Sequence, residues 1–243
     1  ATSFTTLRLA SGAVTLALLT LAFGRTRNPV KKGDWLSAFF LFAYAIAFSF
    51  AYLGLTTATG ALILFGCVQF TMVTVSVFKG TRPGVFEWSG LVVAFGGLVY
   101  LVFPGLTAPP PFNAVLMAVA GAAWGGYTLR GKGSEDPLAD TTGNFIRSVP
   151  MVALILGAAV LISPNLHISS QGALLAILSG AIASGIGYSV WYAALKHHTP
   201  TRAAVLQLAV PVIAAAGGVV FMGETASPRL VAAGMLVLGG IGL

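Results

Sequence analysis

The chain has 243 residues, 57 % hydrophobic and only 8 % charged, with a net charge of +7, where an ordinary soluble domain carries roughly a quarter charged residues. Residues 35–78, 88–129, 148–195, 203–223 and 230–243 hold no Asp, Glu, Lys or Arg, which excludes a water-soluble fold, because a soluble helix needs a polar face while a membrane helix keeps its charges at its ends. The basic surplus is scattered singly between apolar runs and forms no patch, which excludes a nucleic-acid surface. The pattern is that of an all-α polytopic membrane protein, with a mean hydropathy of +0.92.

A helix needs roughly 20 residues to cross the hydrocarbon core, and the spans follow in chain order. The first covers about 4–24. The next apolar run is too long for one span and is divided by Thr56-Thr57-Ala58-Thr59-Gly60 into about 35–55 and 60–79. A fourth, about 86–103, stops at Pro104-Gly105, and Pro109-Pro110-Pro111 cannot continue a helix, so a fifth runs from about 112 to 129. The sixth, about 143–162, ends at Ser163-Pro164-Asn165. Three more cover about 171–195, 201–222 and 227–243, giving nine spans. Pro150 and Pro211 lie inside spans and should kink them.

Cations in the connections alternate in density. Arg25, Arg27, Lys31, Lys32, Lys79, Arg82, Arg130, Lys132, Arg147, Lys196 and Arg202 fall on one side, and only Arg8 and Arg229 on the other. The positive-inside rule therefore places the C-terminus in the cytoplasm and the start of the chain outside. An exported start without a leader suggests a ten-span plan whose first helix precedes this sequence. The single cysteine, Cys67, cannot form an intrachain disulfide.

The sequence repeats itself weakly. Arg8 in Phe4-Thr5-Thr6-Leu7-Arg8 is matched 139 positions later by Arg147 in Asn144-Phe145-Ile146-Arg147, Tyr52 by Tyr192 at 140, and Gly90 by Gly234 at 144. Residues 1–107 would form a first repeat with four of five helices, and 112–243 a second with five. An odd number of helices inverts the second copy, and inverted repeats go with alternating access about a central site.

The five-plus-five plan, the two arginine-bearing helix openings, Ala122-Ala123-Trp124-Gly125-Gly126-Tyr127, and the segment from Pro211 to Gly223-Glu224 together resemble the drug/metabolite transporter superfamily, most closely its EamA-type branch. Where that branch often carries Gly-Glu, the first repeat has Gly80-Thr81. Within the branch the aromatic-rich helices are most similar to aromatic amino acid exporters. The resemblance implies a ten-helix carrier of small metabolites with a cavity lined by both repeats.

Candidate substrate contacts are the residues that lipid does not explain. Tyr44, Phe48 and Tyr52 are four apart and share one helix face; Trp124, Tyr127, Tyr188, Trp191 and Tyr192 lie on the fifth and seventh spans. Aromatic walls suit an apolar or aromatic side chain, or they form an interfacial belt, a reading that fits Tyr52, Trp191 and Tyr192 better than Tyr44 or Trp124. Gln69 and Gln207 are amides in apolar spans that must find partners, either a substrate or a neighbouring helix. Ser184, Ser189, Thr71 and Thr74 are weaker candidates, since such hydroxyls often bond their own backbone. Gly121 with Gly125, and Gly180 with Ser184, read as close helix packing, or as a dimer face. Arg8 and Arg147 either snorkel to headgroups or sit at a cavity mouth and steer carboxylates.

No carboxylate lies within a span, which argues against proton antiport through a buried acid, and the lack of paired buried cations argues against anionic sugar phosphates. No His, Asp or Glu lies within a span to activate a nucleophile, so an intramembrane enzyme is not expected. His167, His197 and His198 fall in loops at spacings that suit no metal. The expectation is a monomeric inner-membrane carrier without cofactor, metal or nucleic acid, whose partners are the bilayer and an amino acid, aromatic ones included. A purine, sugar or cationic drug is the alternative cargo, and a channel the remoter one.

Overall fold

A computed structural model describes residues 1–24, 26, 28–81, 83–106, 108–162, 169–195, 197–223, 225 and 227–242, with the backbone alone for Met222. Arg25, Arg27, Arg82, Lys196, the Ser163-Pro164-Asn165 stop, His167 and Glu224 lie outside them. The described residues are all helical or irregular, with no strand among them. In chain order they form α1 (Thr2–Ala22), α2 (Trp35–Ala51), α3 (Thr57–Phe78), α4 (Val85–Val102), α5 (Pro111–Gly131), α6 (Pro137–Ile162), α7 (Ser170–Leu178), a π-helical segment (Ser179–Ile186), α8 (Gly187–Leu195), α9 (Pro200–Gln207), α10 (Ala209–Met222) and α11 (Pro228–Gly242).

Helix starts are set by oxygen caps, as orphan N–H groups require. Asp34 accepts from the Ser37 amide at the start of α2, Thr56 from Thr59 at α3, Ser169 from Gly172 at α7 and Thr199 from Arg202 at α9. Pro111, Pro137, Pro200 and Pro228 open four helices, where a missing N–H costs nothing. Pro211 displaces the carbonyl four residues back, that of Gln207, and the helix breaks there into α9 and α10. Pro150, by contrast, lies in an uninterrupted α6.

Among the described residues seven helical stretches are long and apolar enough to cross a membrane: Thr2–Ala22, Thr57–Phe78, Val85–Gly105, Pro111–Gly131, Pro137–Ile162, Ser170–Leu195 and Pro200–Phe221. Trp35–Ala51 and Pro228–Gly242 are apolar but shorter, so seven of the nine expected spans have helices of crossing length.

The chain divides into two compact units. The first is residues 1–53 with 126–197, the second 54–125 with 198–243. Each draws helices from both sides of the 107/112 division read from the sequence. In the first unit α1 packs on α6, α7 and the π segment, and α2 packs on α6. In the second α3 packs on α9, and α4 on α11. Small residues set these approaches, as membrane helices without a hydrophobic drive between them require. In the first unit a Cβ on Gly180 would collide with the Arg8 carbonyl and Ser11, and one on Gly12 would lie 2.7 Å from Phe145. In the second, a Cβ on Gly97 would lie 2.8 Å from Leu236 Cβ and one on Gly240 2.6 Å from the Gly90 carbonyl. Gly121 and Gly125 face Leu64, Cys67 and Thr71 of α3, the close packing expected of that pair.

The loop before α2 is tied to α6. Gly33 has φ of +70° and its N–H donates to Asp140 Oδ1 at 3.0 Å, while the Asp34 amide donates to Asn144 Oδ1 at 2.9 Å. A side chain at Gly33 would meet both the left-handed backbone penalty and the Asn144 carboxamide. Asp34 also bonds Ser37 and pairs with Arg130 at 2.9 Å. Burial raises the Asp34 carboxyl, but the Ser37 bonds and the Arg130 charge outweigh it and hold the group below its ordinary value.

Candidate functional site

The nine residues expected at the substrate fall into the two units. Tyr44, Phe48, Tyr52, Tyr127, Tyr188 and Trp191 belong to the first, and Gln69, Trp124 and Gln207 to the second.

In the first unit the four-residue spacing on α2 builds a file of rings: Tyr44 and Phe48 have centroids 5.5 Å apart, and Phe48 and Tyr52 meet edge to face at 4.8 Å. Across the file stands Arg8 of α1, its guanidinium carbon 5.8 Å from the Tyr44 centroid and 6.0 Å from that of Phe48. Such distances suit a cation over a ring face. Its Nε donates to Ser184 Oγ at 3.2 Å, and it also hydrogen-bonds the Tyr44 and Tyr188 hydroxyls. Those two tyrosines bond each other, and the Tyr188 ring meets Phe145 at 5.6 Å. Ser184 is aimed at Arg8 by the π-helical segment, a geometry that often marks functional sites. Tyr127 is fully buried and stands edge-on to Tyr192 at 5.5 Å. Trp191 is partly buried, and its indole N–H has no hydrogen-bond partner among the described residues.

In the second unit the amides join helices. Gln69 Nε2 donates to the Ala204 carbonyl at 2.6 Å, bridging α3 to α9, while its Oε1 is buried with no partner among the described residues. Gln207 Oε1 accepts from the Trp124 indole, and its Nε2 donates to Met72 Sδ at 3.2 Å and the Ala203 carbonyl at 3.4 Å. The break imposed by Pro211 begins at this glutamine. A separate cleft of about 270 Å³ at the helix ends is lined by Glu87, His198 and Arg202 among others. There Thr199 donates to Glu87 Oε1 at 2.8 Å and Arg202 lies 3.7 Å away.

Two features escaped the sequence reading. Arg8 was weighed as a headgroup anchor or mouth residue, yet it joins the very rings singled out on α2. Its spacing to Tyr44 carries no periodic signal, because the two lie on different helices. The π segment was also hidden, since Gly180 and Ser184 have the spacing of an ordinary packing pair. Among the described residues no three of His, Cys, Asp and Glu lie together so as to hold a metal.

The sequence pattern of the EamA-like transporter family matches residues 112–243, more than half of the chain. The chain belongs to that family. It is a multi-pass transporter of the inner membrane. An uncharacterised protein of Pseudomonas aeruginosa is 47 % identical over the full 243 residues, which cover 83 % of that relative. The threonine/homoserine exporter RhtA of Escherichia coli K12 is 33 % identical over 178 residues, 69 % of this chain and 57 % of the exporter. A probable amino-acid metabolite efflux pump of Salmonella typhimurium is 24 % identical over 210 residues, 82 % of this chain and 70 % of the pump. A solved crystal structure of a protein 20 % identical superposes with a TM-score of 0.80 over 98 % of this chain and 84 % of its own, and shares the fold.

Proposed function

We propose that this transporter exports amino acids, aromatic ones included, by alternating access of two inverted repeats, residues 1–107 and 112–243, with the C-terminus in the cytoplasm. The ring file of Tyr44, Phe48 and Tyr52, crossed by Tyr188, is the observation that carries the substrate class. A row of rings with a few polar groups suits an apolar side chain on a polar head. Support for the repeat comes from the packing of its matched helices on each other: α1 on α6, α3 on α9, and α4 on α11. Trp35–Ala51 and Pro228–Gly242 then complete nine spans, the bilayer thinning or flanking residues snorkelling to meet their shorter length. Relatives named for amino-acid export support the cargo.

Tyr44, Phe48 and Tyr188 contact the substrate side chain in this reading, with Tyr52, Tyr127 and Trp191 completing the aromatic lining. Trp124, Gln69 and Gln207 are proposed as substrate contacts within the second unit taken by itself, where Gln207 fixes the Trp124 indole and Gln69 Oε1 has no partner among the described residues. A second reading, export of small hydroxylated amino acids, is favoured by the similarity to the threonine/homoserine exporter RhtA. Counterflow of labelled phenylalanine and of labelled threonine in proteoliposomes separates the two, with unlabelled amino acids, a purine and a cationic drug as competitors. Saturable counterflow displaced by amino acids alone is the expected result. Counterflow displaced by the purine or the drug instead overturns the amino-acid reading.

A further inference from the structure

Among the described residues no carboxylate forms an ion pair with Arg8. Its Nε bonds Ser184, the guanidinium also hydrogen-bonds the Tyr44 and Tyr188 hydroxyls, and its Cζ lies near the Tyr44 and Phe48 rings. Every one of these partners is neutral. The helices that supply them, α2, the π segment and α8, contain no acidic residue, and neither does α1 itself. Among the described residues Asp34 is engaged with Arg130, Glu87 with Arg202, Asp136 with the Ala139 amide, and Asp140 with the Gly33 amide and Ser134. A cation on a membrane helix is expensive to keep unless a partner repays its desolvation. The backbone around Arg8 is also held close to the π segment, where Gly180 leaves no room for a side chain against the Arg8 carbonyl. The Arg8 backbone is thereby held against the π segment, and the bond to Ser184 directs the guanidinium inward.

We infer that Arg8 binds the carboxylate of the transported solute. This rests on the amino-acid reading for the solute's other features but not for the carboxylate itself. A guanidinium presents a planar fork of five N–H donors that matches two carboxylate oxygens. The Tyr44 and Tyr188 hydroxyls, which accept from Arg8, can rotate and donate to the same anion. Phe48 and Tyr52 continue the ring file away from the charge, so a bound acid would place its carboxylate at Arg8 and its side chain along α2. The selectivity that follows is for acids over their amides: loss of the negative charge leaves a buried guanidinium without its counter-ion.

The test uses the reconstituted wild type and the variants Arg8→Gln, Arg8→Lys and Tyr44→Phe with Tyr188→Phe. Each is checked for monodispersity and for its melting temperature. Competition against labelled phenylalanine, or its absence, is followed by ligand-induced shifts in melting temperature for phenylalanine, phenylalaninamide, 3-phenylpropionate and phenylethylamine. The wild type should prefer phenylalanine over its amide by at least about tenfold, as loss of charge-assisted bonds of roughly 1.5–3 kcal/mol predicts. Arg8→Gln should bring that ratio close to one, Arg8→Lys should retain part of it, and the double tyrosine variant should lower the acid-to-amide ratio about threefold. If Arg8→Gln folds and keeps the wild-type ratio, or if the wild type never distinguishes acid from amide, the assignment is overturned. If Arg8→Gln does not fold, the Arg8→Lys and double tyrosine ratios decide on the same terms. Recognition of 3-phenylpropionate without phenylalanine would sink the amino-acid reading and leave the carboxylate site standing.

Discussion

Arg147 spends its guanidinium on the backbone. Its Nη1 donates to the carbonyls of Lys32 and Gly143, and its plane lies 5.7 Å from the centroid of Trp35. Arg8, its counterpart in the proposed repeat, is held by side chains: a serine, two tyrosine hydroxyls and two ring faces. A carbonyl in a loop or a helix is a fixed acceptor and cannot turn to meet anything else. A hydroxyl rotates and can give as well as take. Arg147 therefore works as a clasp that holds the loop before α2 on α6, and Arg8 as a charge left available within a lined site. One residue type at matched positions yields a structural part and a binding part, and the partner's chemistry decides which.

The sharpest way to break this comparison is to remove both charges separately. Arg8→Gln should lower transport about a hundredfold, the loss of two charge-assisted bonds, with little change in melting temperature. Arg147→Gln should keep transport within about threefold and lower the melting temperature instead, as loss of a loop clasp requires. Counterflow rates and melting curves on the same preparations read both quantities. Equal transport defects in the two variants would erase the distinction.

Glycines beneath the two arginines sharpen it further. A methyl at Gly143 would run into the Lys32 carbonyl, and one at Gly180 into the Arg8 carbonyl. Each Ala variant forces a backbone shift, an overpacking cost of about 1–3 kcal/mol. Gly143→Ala should loosen the loop and lower stability alone. Gly180→Ala should also displace Ser184 from Arg8 and cut carboxylate selectivity, measured as the ratio of acid to amide affinity.

Much of this architecture was open to sequence reasoning because lipid forbids charge along whole spans, so the charge-free intervals map onto the helices. Thr56 was recognised as a divider, and it caps α3. Pro211 was expected to kink its span, and α9 ends four residues before it. Two helices came out shorter than a full crossing because composition cannot fix where the last turn frays: α2 stops at Ala51 although apolar residues continue to Leu55. The ring file on α2 was legible since its members are local and four apart. The contacts of Arg8 with Ser184 and of Trp124 with Gln207 are 176 and 83 residues long in sequence, and no local period encodes them.

The same contrast between backbone and side-chain partners recurs in the second unit. Gln69 bonds the Ala204 carbonyl, whereas Gln207 bonds the Trp124 indole and Met72. Gln207→Leu should destabilise the protein by about 0.6–1.7 kcal/mol, the range for interhelical hydrogen bonds in membranes. Gln69→Leu should cost less, because the substitution also removes a buried oxygen that has no partner among the described residues. Thermal unfolding of the two variants in one detergent gives the order, and a larger loss for Gln69→Leu would contradict it.

The smallest effect belongs to a third arginine, Arg130, whose partner is a true carboxylate. Arg130 and Asp34 are 39 % and 48 % exposed as a pair of side chains, so solvent screens them and their coupling is worth under about 1 kcal/mol. The folded-state value of Asp34 is depressed below the ordinary 3.8. Its contribution is thus complete above the unfolded value and is lost as pH falls through the lower folded one. Between pH 7 and 5 melting temperature should stay flat on this account, and a small decline should begin only below about pH 4. Asp34→Asn retains an oxygen to cap α2 and removes the charge, so its melting curve should lack that acid-dependent step. High salt should shrink the step in the wild type as well. A wild-type decline that is unchanged in Asp34→Asn would assign the acid sensitivity to another carboxylate and leave Arg130 with no measurable share in stability.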